Sequence, residues 1–454
     1  MPFTSLSSSA AHASPLPRLV HTESACLWPR WALGLLLALL VAAPASTKVA
    51  GAAWLLVVLT GLWVCLRLPV ARSLTHPLVQ SSRLWFFACL VAMALQAAAT
   101  LYWADPWGDR HVEVRLLLAA GATLALMRRL RLLPHQKRWL IHCLALACCV
   151  ALGVTVIHGR MTPTNAIPWA AGVSFLVCVL MPYVLLQPQT ARWQRMAWAC
   201  GVLAGTAAVL LSLSRGSYGL VLWVLCAAVI AIVEHLLRQR HTQRSGYSIK
   251  KNAAFWLAGT AALLALATVL LLGFPHDDQA PAGRVQDAWS EMEESSRAEL
   301  PQAHVINTSV GARLHMWRMA LKEIARAPWL GHGRKARIVW IRQLGETDGS
   351  DTIKTLTHLH SDPLTSLFDH GFLGLSSYLV LGAGLAWLAT RRQYCNAGLR
   401  WSLGGILWMH LTSGLTNMNL GHNYYGVMLA LSLSVAWLLS SEDAADLAAS
   451  PAQT

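Results

Sequence analysis

Long apolar runs recur along most of this chain and constrain its fold more than any other feature. Each run is about 16 to 22 residues, which lets a helix cross a hydrocarbon layer of about 30 Å. Backbone amides inside lipid must find partners within their own segment, so helices are favoured over strands. Only 13% of the residues are charged, whereas soluble chains have about a quarter. We therefore predict an all-α polytopic membrane protein.

About twelve spans fit this pattern by length and hydropathy. Their boundaries are 28–45, 49–66, 84–104, 112–127, 139–157, 169–187, 196–213, 217–237, 255–273, 364–390, 401–416 and 423–440. The segments 112–127 and 401–416 are the weakest, and either is also compatible with a tilted or re-entrant helix.

The spans divide the chain into five segments. We expect a disordered cytoplasmic tail at residues 1–27, transmembrane helices 1–9 at 28–273, one large non-cytoplasmic loop at 274–363, transmembrane helices 10–12 at 364–440 and a cytoplasmic tail at 441–454. The large loop contains no cysteine, which excludes a disulfide or cysteine–zinc framework there.

The net charge of +15 is explained by topology. With both termini cytoplasmic, the short cytoplasmic segments hold about 20 of the lysines and arginines and the short loops opposite hold about five, which is the positive-inside pattern. The basicity therefore fixes the orientation and gives no reason to expect a nucleic-acid partner.

A few arginines lie on the outer side, against this bias. Arg215 sits in the tight turn of VLLSLSRGSYG, where small residues let an anion approach backbone amides at a helix start. Arg160 lies in a short outer loop, and Arg313 begins an amphipathic stretch of the large loop with Leu314, Trp317, Leu321 and Ile324 at helical spacing. Each is either an anion ligand or a solvated interfacial charge. Arg115 follows Glu113, and a local ion pair accounts for it.

A histidine cluster ends the large loop in THLHSDPLTSLFDHGFLGL. His358 and His360 are the candidate general bases, since histidine titrates near neutral pH. An H-x-H pair also suits a metal, with Asp362 or Asp369 as further ligands, but no recognisable metal framework surrounds it, and we predict no metal.

Arginines and a histidine at the outer face suit a reaction whose leaving group is a lipid phosphate or diphosphate. The chain has no nucleotide-binding motif, so its donor must arrive already activated, as a lipid-linked sugar does. No cofactor is predicted.

These motifs resemble those of the O-antigen ligases (WaaL type) and the related O-antigen polymerases and O-oligosaccharyltransferases. Members share about a dozen helices and a large late periplasmic loop. The matching elements are Ser214-Arg215-Gly216, Arg313 to Trp317, Gly331-His332-Gly333, His358-Leu359-His360-Ser361 and Asp369 to Gly374. Ser361 stands where the family often has asparagine.

The resemblance implies a GT-C-like fold in a Gram-negative inner membrane, with a periplasmic active site. It implies transfer of a glycan from undecaprenyl diphosphate to a hydroxyl of lipid A–core, with inversion and without a metal. In that reaction His360 would be catalytic with His358 in support, and Arg215, Arg313 and Arg160 would bind the diphosphate. The partners would be the lipid-linked donor, lipid A–core and membrane lipids.

Three other functions stay open. A polymerase of this superfamily often has two substantial outer loops, whereas the loop after Ile157 is short here, which favours a ligase. A protein-glycosylating transferase is the third member of the superfamily. A transporter or flippase for anionic lipids would need polar or broken helices near the membrane midplane, and the apolar runs here are nearly uncharged.

Overall fold

A computed structural model describes residues 26–106, 111–159, 162–186, 190–241, 290, 293 and 305–441. Its helices are α1 (Arg30–Ala42), α2 (Thr47–Arg67), α3 (Pro77–Trp103), α4 (His111–Arg129), α5 (Pro134–His158), α6 (Ala166–Leu186), α7 (Arg192–Leu211), α8 (Gly219–His241), α9 (Ser309–Ile324), α10 (Arg334–Thr347), α11 (Asp351–Lys354), α12 (Asp362–Thr390), α13 (Ala397–Thr416) and α14 (Asn423–Leu439).

Helices occupy eleven of the predicted span positions. The ninth, 255–273, lies outside the described residues, as do the tail 1–25 and most of the first half of the large loop. Among the described residues, six helices are long and apolar enough to cross a membrane, namely α2, α3, α5, α6, α7 and α12, and three shorter apolar helices accompany them. The all-α membrane class is therefore confirmed, while the full count of spans and the GT-C-like arrangement stay predictions.

A short two-stranded sheet connects the residues just before α1 with the residues between α4 and α5. Cys26–Leu27 pairs in parallel with Leu130–Arg131, each strand being only two residues long. The Arg72 side chain closes the same region by donating to the backbone oxygens of Met127 and Leu130, at 2.6 and 2.8 Å.

The bundle is organised around α6, which is buried along almost its whole length. Glycines allow close helix approach here. A Cβ on Gly201 would lie 2.6 Å from the Ala145 backbone, and one on Gly205 would lie 3.1 Å from the Cys148 sulfur. Small residues at such crossings are how membrane helices gain packing without a hydrophobic driving force. The bundle core is thus apolar and closely packed.

The loop has a second, separate hydrophobic core. Its buried members are Ala312, Met316, Ala320, Ile324, Ile341, Leu344, Ile353, Leu359 and Phe368. The predicted amphipathic helix exists as α9, and Thr308 caps it by accepting from the Gly311 amide at 3.1 Å.

The inward face of α9 carries Ala312, Met316, Ala320 and Ile324, and Trp317 packs against the same core. Met316 and Ala320 are fully buried and Ile324 is 7% exposed, whereas Leu321 is 53% exposed.

Helix α12 is broken at Gly371, which adopts φ 60° and ψ −154°. The segment after α9 fills the break: the Phe368 oxygen accepts from the His332 amide at 2.9 Å, and the Phe372 amide donates to Pro328 O at 2.8 Å. A Cβ on Gly371 would lie 2.5 Å from the Leu330 nitrogen. Since Phe368 belongs to the loop core, the first two turns of α12 pack with the loop, and its longer part packs with the bundle.

Candidate functional site

The histidine pair lies immediately before α12. Ser361 begins that helix as its N-cap, and His360 precedes it with a positive φ of 51°. A non-glycine residue rarely adopts this conformation, which is found mainly where the surroundings enforce it. The rings of His358 and His360 lie 4.3 Å apart between centroids. The turn therefore presents both imidazoles together.

Helix α9 holds this turn in place. The Trp317 indole donates to the oxygen of Leu359, between the two histidines, at 2.5 Å. Arg313 lies one turn earlier on the same helix, and its charge acts on both His358 and His360. The two motifs that are far apart in sequence, Arg313 to Trp317 and His358 to His360, are therefore neighbours in the structure.

Both imidazoles are poorly basic in this environment. Burial, followed by the positive charge of Arg313, lowers the pKa of His360 to about 3. Burial, followed by the charge of Arg337, lowers the pKa of His358 to about 4. At neutral pH both rings are therefore uncharged. The Nδ1 atom of His360 is buried and has no hydrogen-bond partner among the described residues.

A buried arginine ties the loop to the membrane helix. Arg337 of α10 pairs through Nε with Asp369 of α12 at 2.7 Å, and their side chains are only 2% and 8% exposed. The same guanidinium donates to the oxygen of Thr357, next to His358. Because one side chain contacts both the break in α12 and the histidine turn, it fixes their relative position.

A second polar connection joins the break to α3. Gln96 donates to Nδ1 of His370 at 3.1 Å, which leaves the ring proton on Nε2, and Nε2 donates to Asp105 at 3.0 Å. His370 and Asp105 are each 1% exposed. Nearby, the Trp103 indole donates to Leu330 O at 2.6 Å. The end of α3 thus supports the broken helix.

The turn that carries Arg215 packs against the same region. Arg215–Ser217 is a short 3-10 turn between α7 and α8. A Cβ on Gly216 would meet the side chain of Asn417 and would lie 2.6 Å from Thr416 Oγ1. The oxygen of Asn417 in turn accepts from the Asp362 amide at 3.1 Å. Asp362 lies two residues after His360. The backbone of the Arg215 turn is therefore connected to the histidine turn through Asn417 and Asp362.

A cavity of about 240 Å³ opens beside His358. Its described lining includes neither Arg313 nor His360. The polar lining residues are Gln96, Glu113, Arg334, Arg337, Thr357, His358, Asp362, Thr365, Ser366, Asp369, His370, Ser377, Tyr378 and His422. The cavity thus lies where the loop, α3, α4, α12 and the start of α14 meet.

The predicted residues are described to different extents. His358, His360 and Arg313 are brought together, and for Arg215 the backbone alone is described. Arg160 lies outside the described residues. Arg115 donates to Asn423 Oδ1 at 2.7 Å, rather than forming the expected local contact with Glu113. Within the described chain, no three histidine, cysteine or acidic residues are grouped as metal ligands.

Sequence reasoning missed several members of this region. Arg337 is one of three arginines in RKARIVWIR, and nothing local distinguishes the buried one. Gln96 is an isolated polar residue within the predicted span 84–104. Asp105 follows directly after the end of that span. The one available signal was Asp369-His370-Gly371, where two polar residues precede a glycine inside an otherwise apolar helix.

Comparison with known proteins supports the family resemblance over part of the chain. The O-antigen ligase family model matches residues 200–379, which include all the motifs named above, from the Arg215 turn to the break in α12. The match supports the resemblance inferred from those motifs, and the family indicates a glycosyltransferase-like enzyme of the ligase or polymerase kind. A search of curated proteins gave no match.

Proposed function

We propose that the chain is an O-antigen ligase, which transfers O-antigen polysaccharide from undecaprenyl diphosphate to a hydroxyl of lipid A–core on the periplasmic face of the inner membrane. The observation that supports this best is the contact between the Arg313–Trp317 helix and the His358–His360 turn. It joins an anion-binding group to a candidate base within the matched family region.

In the proposed reaction, the acceptor oxygen bonds to the anomeric carbon while the bond from that carbon to the diphosphate oxygen breaks. The diphosphate leaves with the electron pair, and attack from the opposite side inverts the anomeric centre. His360 takes the proton of the acceptor hydroxyl. Arg313 and Arg215, with Arg160 as a third candidate, offset the charge that develops on the leaving group. No metal takes part in this scheme.

The low pKa of His360 is compatible with a reaction in which the donor binds before the proton is transferred. The charge of Arg313 is the second cause of the low pKa of His360, after burial. A bound diphosphate would neutralise that charge and favour the imidazolium, so donor binding raises the pKa of the base. His360 would therefore accept a proton most readily when the donor is in place.

The polymerase, the protein-glycosylating transferase and the lipid transporter remain alternatives. The break in α12 is a feature that a transporter would also have. Here, however, the break is held by backbone hydrogen bonds to the loop and by the Arg337–Asp369 pair. Such fixed contacts favour a one-sided site over a moving gate.

Loss of the gene tests the proposal directly. A ligase-deficient strain should make lipopolysaccharide without O-antigen while undecaprenyl-linked long chains accumulate, visible on a silver-stained gel and an O-antigen immunoblot. If the mutant instead retains lipid A–core capped by a single repeat unit, the chain is a polymerase. Unchanged lipopolysaccharide would exclude both.

A further inference from the structure

We propose that an aromatic patch beside the break in α12 anchors the large loop in the membrane interface, on the side of the membrane where the histidine turn lies. The patch consists of Leu101 and Tyr102 at the end of α3, Trp329 and Leu330 in the segment after α9, and Phe372 after the break. This surface lies outside the histidine site, and its role does not depend on glycan transfer.

Two membrane helices place one edge of the patch at the boundary of the bilayer. Helices α3 and α12 are both long and apolar enough to span a membrane, and α3 ends at Trp103. Close to that end Leu101 and Tyr102 are exposed, and so is Phe372 on α12. Exposed apolar side chains on spanning helices face lipid, and aromatic ones are enriched where the hydrocarbon meets the headgroups. This edge of the patch therefore lies at the membrane interface.

Three contacts bring the loop to the same level. The rings of Trp329 and Phe372 lie 5.4 Å apart between centroids. The Leu373 amide donates to the Trp329 oxygen at 3.3 Å, and the Trp103 indole donates to the Leu330 oxygen. Trp329 is nonetheless 73% exposed. The protein thus leaves a contiguous apolar surface uncovered, which is the mark of an interaction site rather than of scattered surface residues.

The helix that leads into the patch has the composition of an interfacial helix. Arg318, Leu321 and Lys322 lie on one exposed face of α9, opposite its buried face. Arg326 follows two residues after the helix and is also exposed. Basic residues beside exposed leucine and tryptophan are typical of segments that lie in the plane of a membrane surface. Such cations are attracted to anionic headgroups.

The bilayer is the occupant that fits this surface. The patch continues the lipid-facing sides of α3 and α12, so lipid covers it without any rearrangement, whereas a protein partner would have to displace that lipid. The Phe372 amide donates to the Pro328 oxygen at 2.8 Å, which holds the patch to the break. Through the break and the Arg337–Asp369 pair, the anchor sets the height of the histidine turn above the membrane.

Labelling of introduced cysteines tests the anchor. Full-length protein in nanodiscs of phosphatidylethanolamine and phosphatidylglycerol is treated with a charged maleimide that does not enter lipid. We expect Trp329→Cys to react slower than Asp351→Cys by about tenfold or more, because lipid excludes the reagent and disfavours the reactive thiolate. Asp351 is the control, since its side chain is 94% exposed and charged. The wild type gives the background from the natural cysteines.

A second measurement keeps the tryptophan in place. The emission of the wild type minus that of Trp329→Phe belongs to Trp329, and phospholipids brominated on their acyl chains should quench it in nanodiscs. A quenched difference with fast labelling of Trp329→Cys would still support the anchor and assign it to the indole itself. An unquenched difference would overturn the anchor whatever the labelling rate, and would leave the patch to a protein partner. Neither measurement requires an active enzyme, so failure of the proposed reaction is seen separately.

Discussion

The bundle core and the junction between bundle and loop use opposite means of holding helices together. Helix α6 is surrounded by apolar neighbours and contains no charged residue. The break in α12, by contrast, is surrounded by the buried Arg337–Asp369 ion pair and by the hydrogen bonds that His370 makes with Gln96 and Asp105. Burying charge is expensive unless every charge is paired, and an apolar core of similar volume is often as stable.

The comparison indicates where the chain uses costly buried polar contacts instead of apolar packing. Small and branched apolar residues are sufficient to pack the bundle. The junction instead fixes the backbone on both sides of the histidine turn by directional contacts, which define position more sharply than apolar packing does. We infer that this junction is where substrate geometry matters, and the first three of the following experiments compare it with a site elsewhere in the molecule.

The largest effect is expected from the candidate base. His360→Ala should lower the rate of glycan transfer by about 10²- to 10⁴-fold, the range typical of a lost general base. The measurement is the initial rate of transfer to lipid A–core by purified protein. His135→Ala, at the start of α5 in a predicted cytoplasmic segment, is the control and should retain full rate. A His360→Ala rate equal to that of the control would remove the catalytic role.

Breaking the buried pair should destabilise the protein more than breaking an exposed one. Arg337→Met leaves Asp369 buried and unpaired, and we expect a loss of about 3–5 kcal/mol in unfolding free energy. Arg326→Met removes the surface pair with Glu323, in which the arginine side chain is 72% exposed, and should cost less than about 1 kcal/mol. Thermal unfolding in detergent compares the two variants. Equal losses would show that burial at the junction has no special importance.

Glycine substitutions should have opposite signs in the two regions. Gly371→Ala forces a side chain onto a positive φ and toward the Leu330 backbone, costing about 1–3 kcal/mol. Gly153 in α5 has nothing within 4 Å of its added Cβ, and Gly153→Ala should stabilise by roughly 0.5–1 kcal/mol. Thermal unfolding in detergent measures the change in stability of both variants. A neutral Gly371→Ala would mean that the break is not enforced by its surroundings.

The smallest expected effect is a shift in pH dependence. The base acts when uncharged, so kcat/KM should fall only as the pH approaches the low pKa of the free histidines, about 4 or below. Removing the positive charge in Arg313→Gln raises the pKa of His360, so this acid limb should move to higher pH. An acid limb that stays in place or moves down would contradict the electrostatic contact between Arg313 and His360.

Much of the fold and part of the site could be predicted from sequence. Apolar runs located the helices because lipid imposes that pattern on each segment separately. The Arg313 and His358/His360 motifs were identifiable because charged and titratable residues are unusual at the outer membrane face unless they have a function. Arg337 and Asp105 were not, since what distinguishes them is burial against partners far away in the chain.

A double-mutant cycle on donor binding tests the central claim most directly, since that claim is that the loop and the bundle bind one diphosphate together. Dissociation constants for undecaprenyl diphosphate carrying a repeat unit would be measured for the wild type, Arg215→Ala, Arg313→Ala and the double variant. We predict that each single variant weakens binding and that their effects are not additive, since both groups contact one anion. Wild-type affinity in either single variant, or strictly additive losses, would contradict a shared site at the junction.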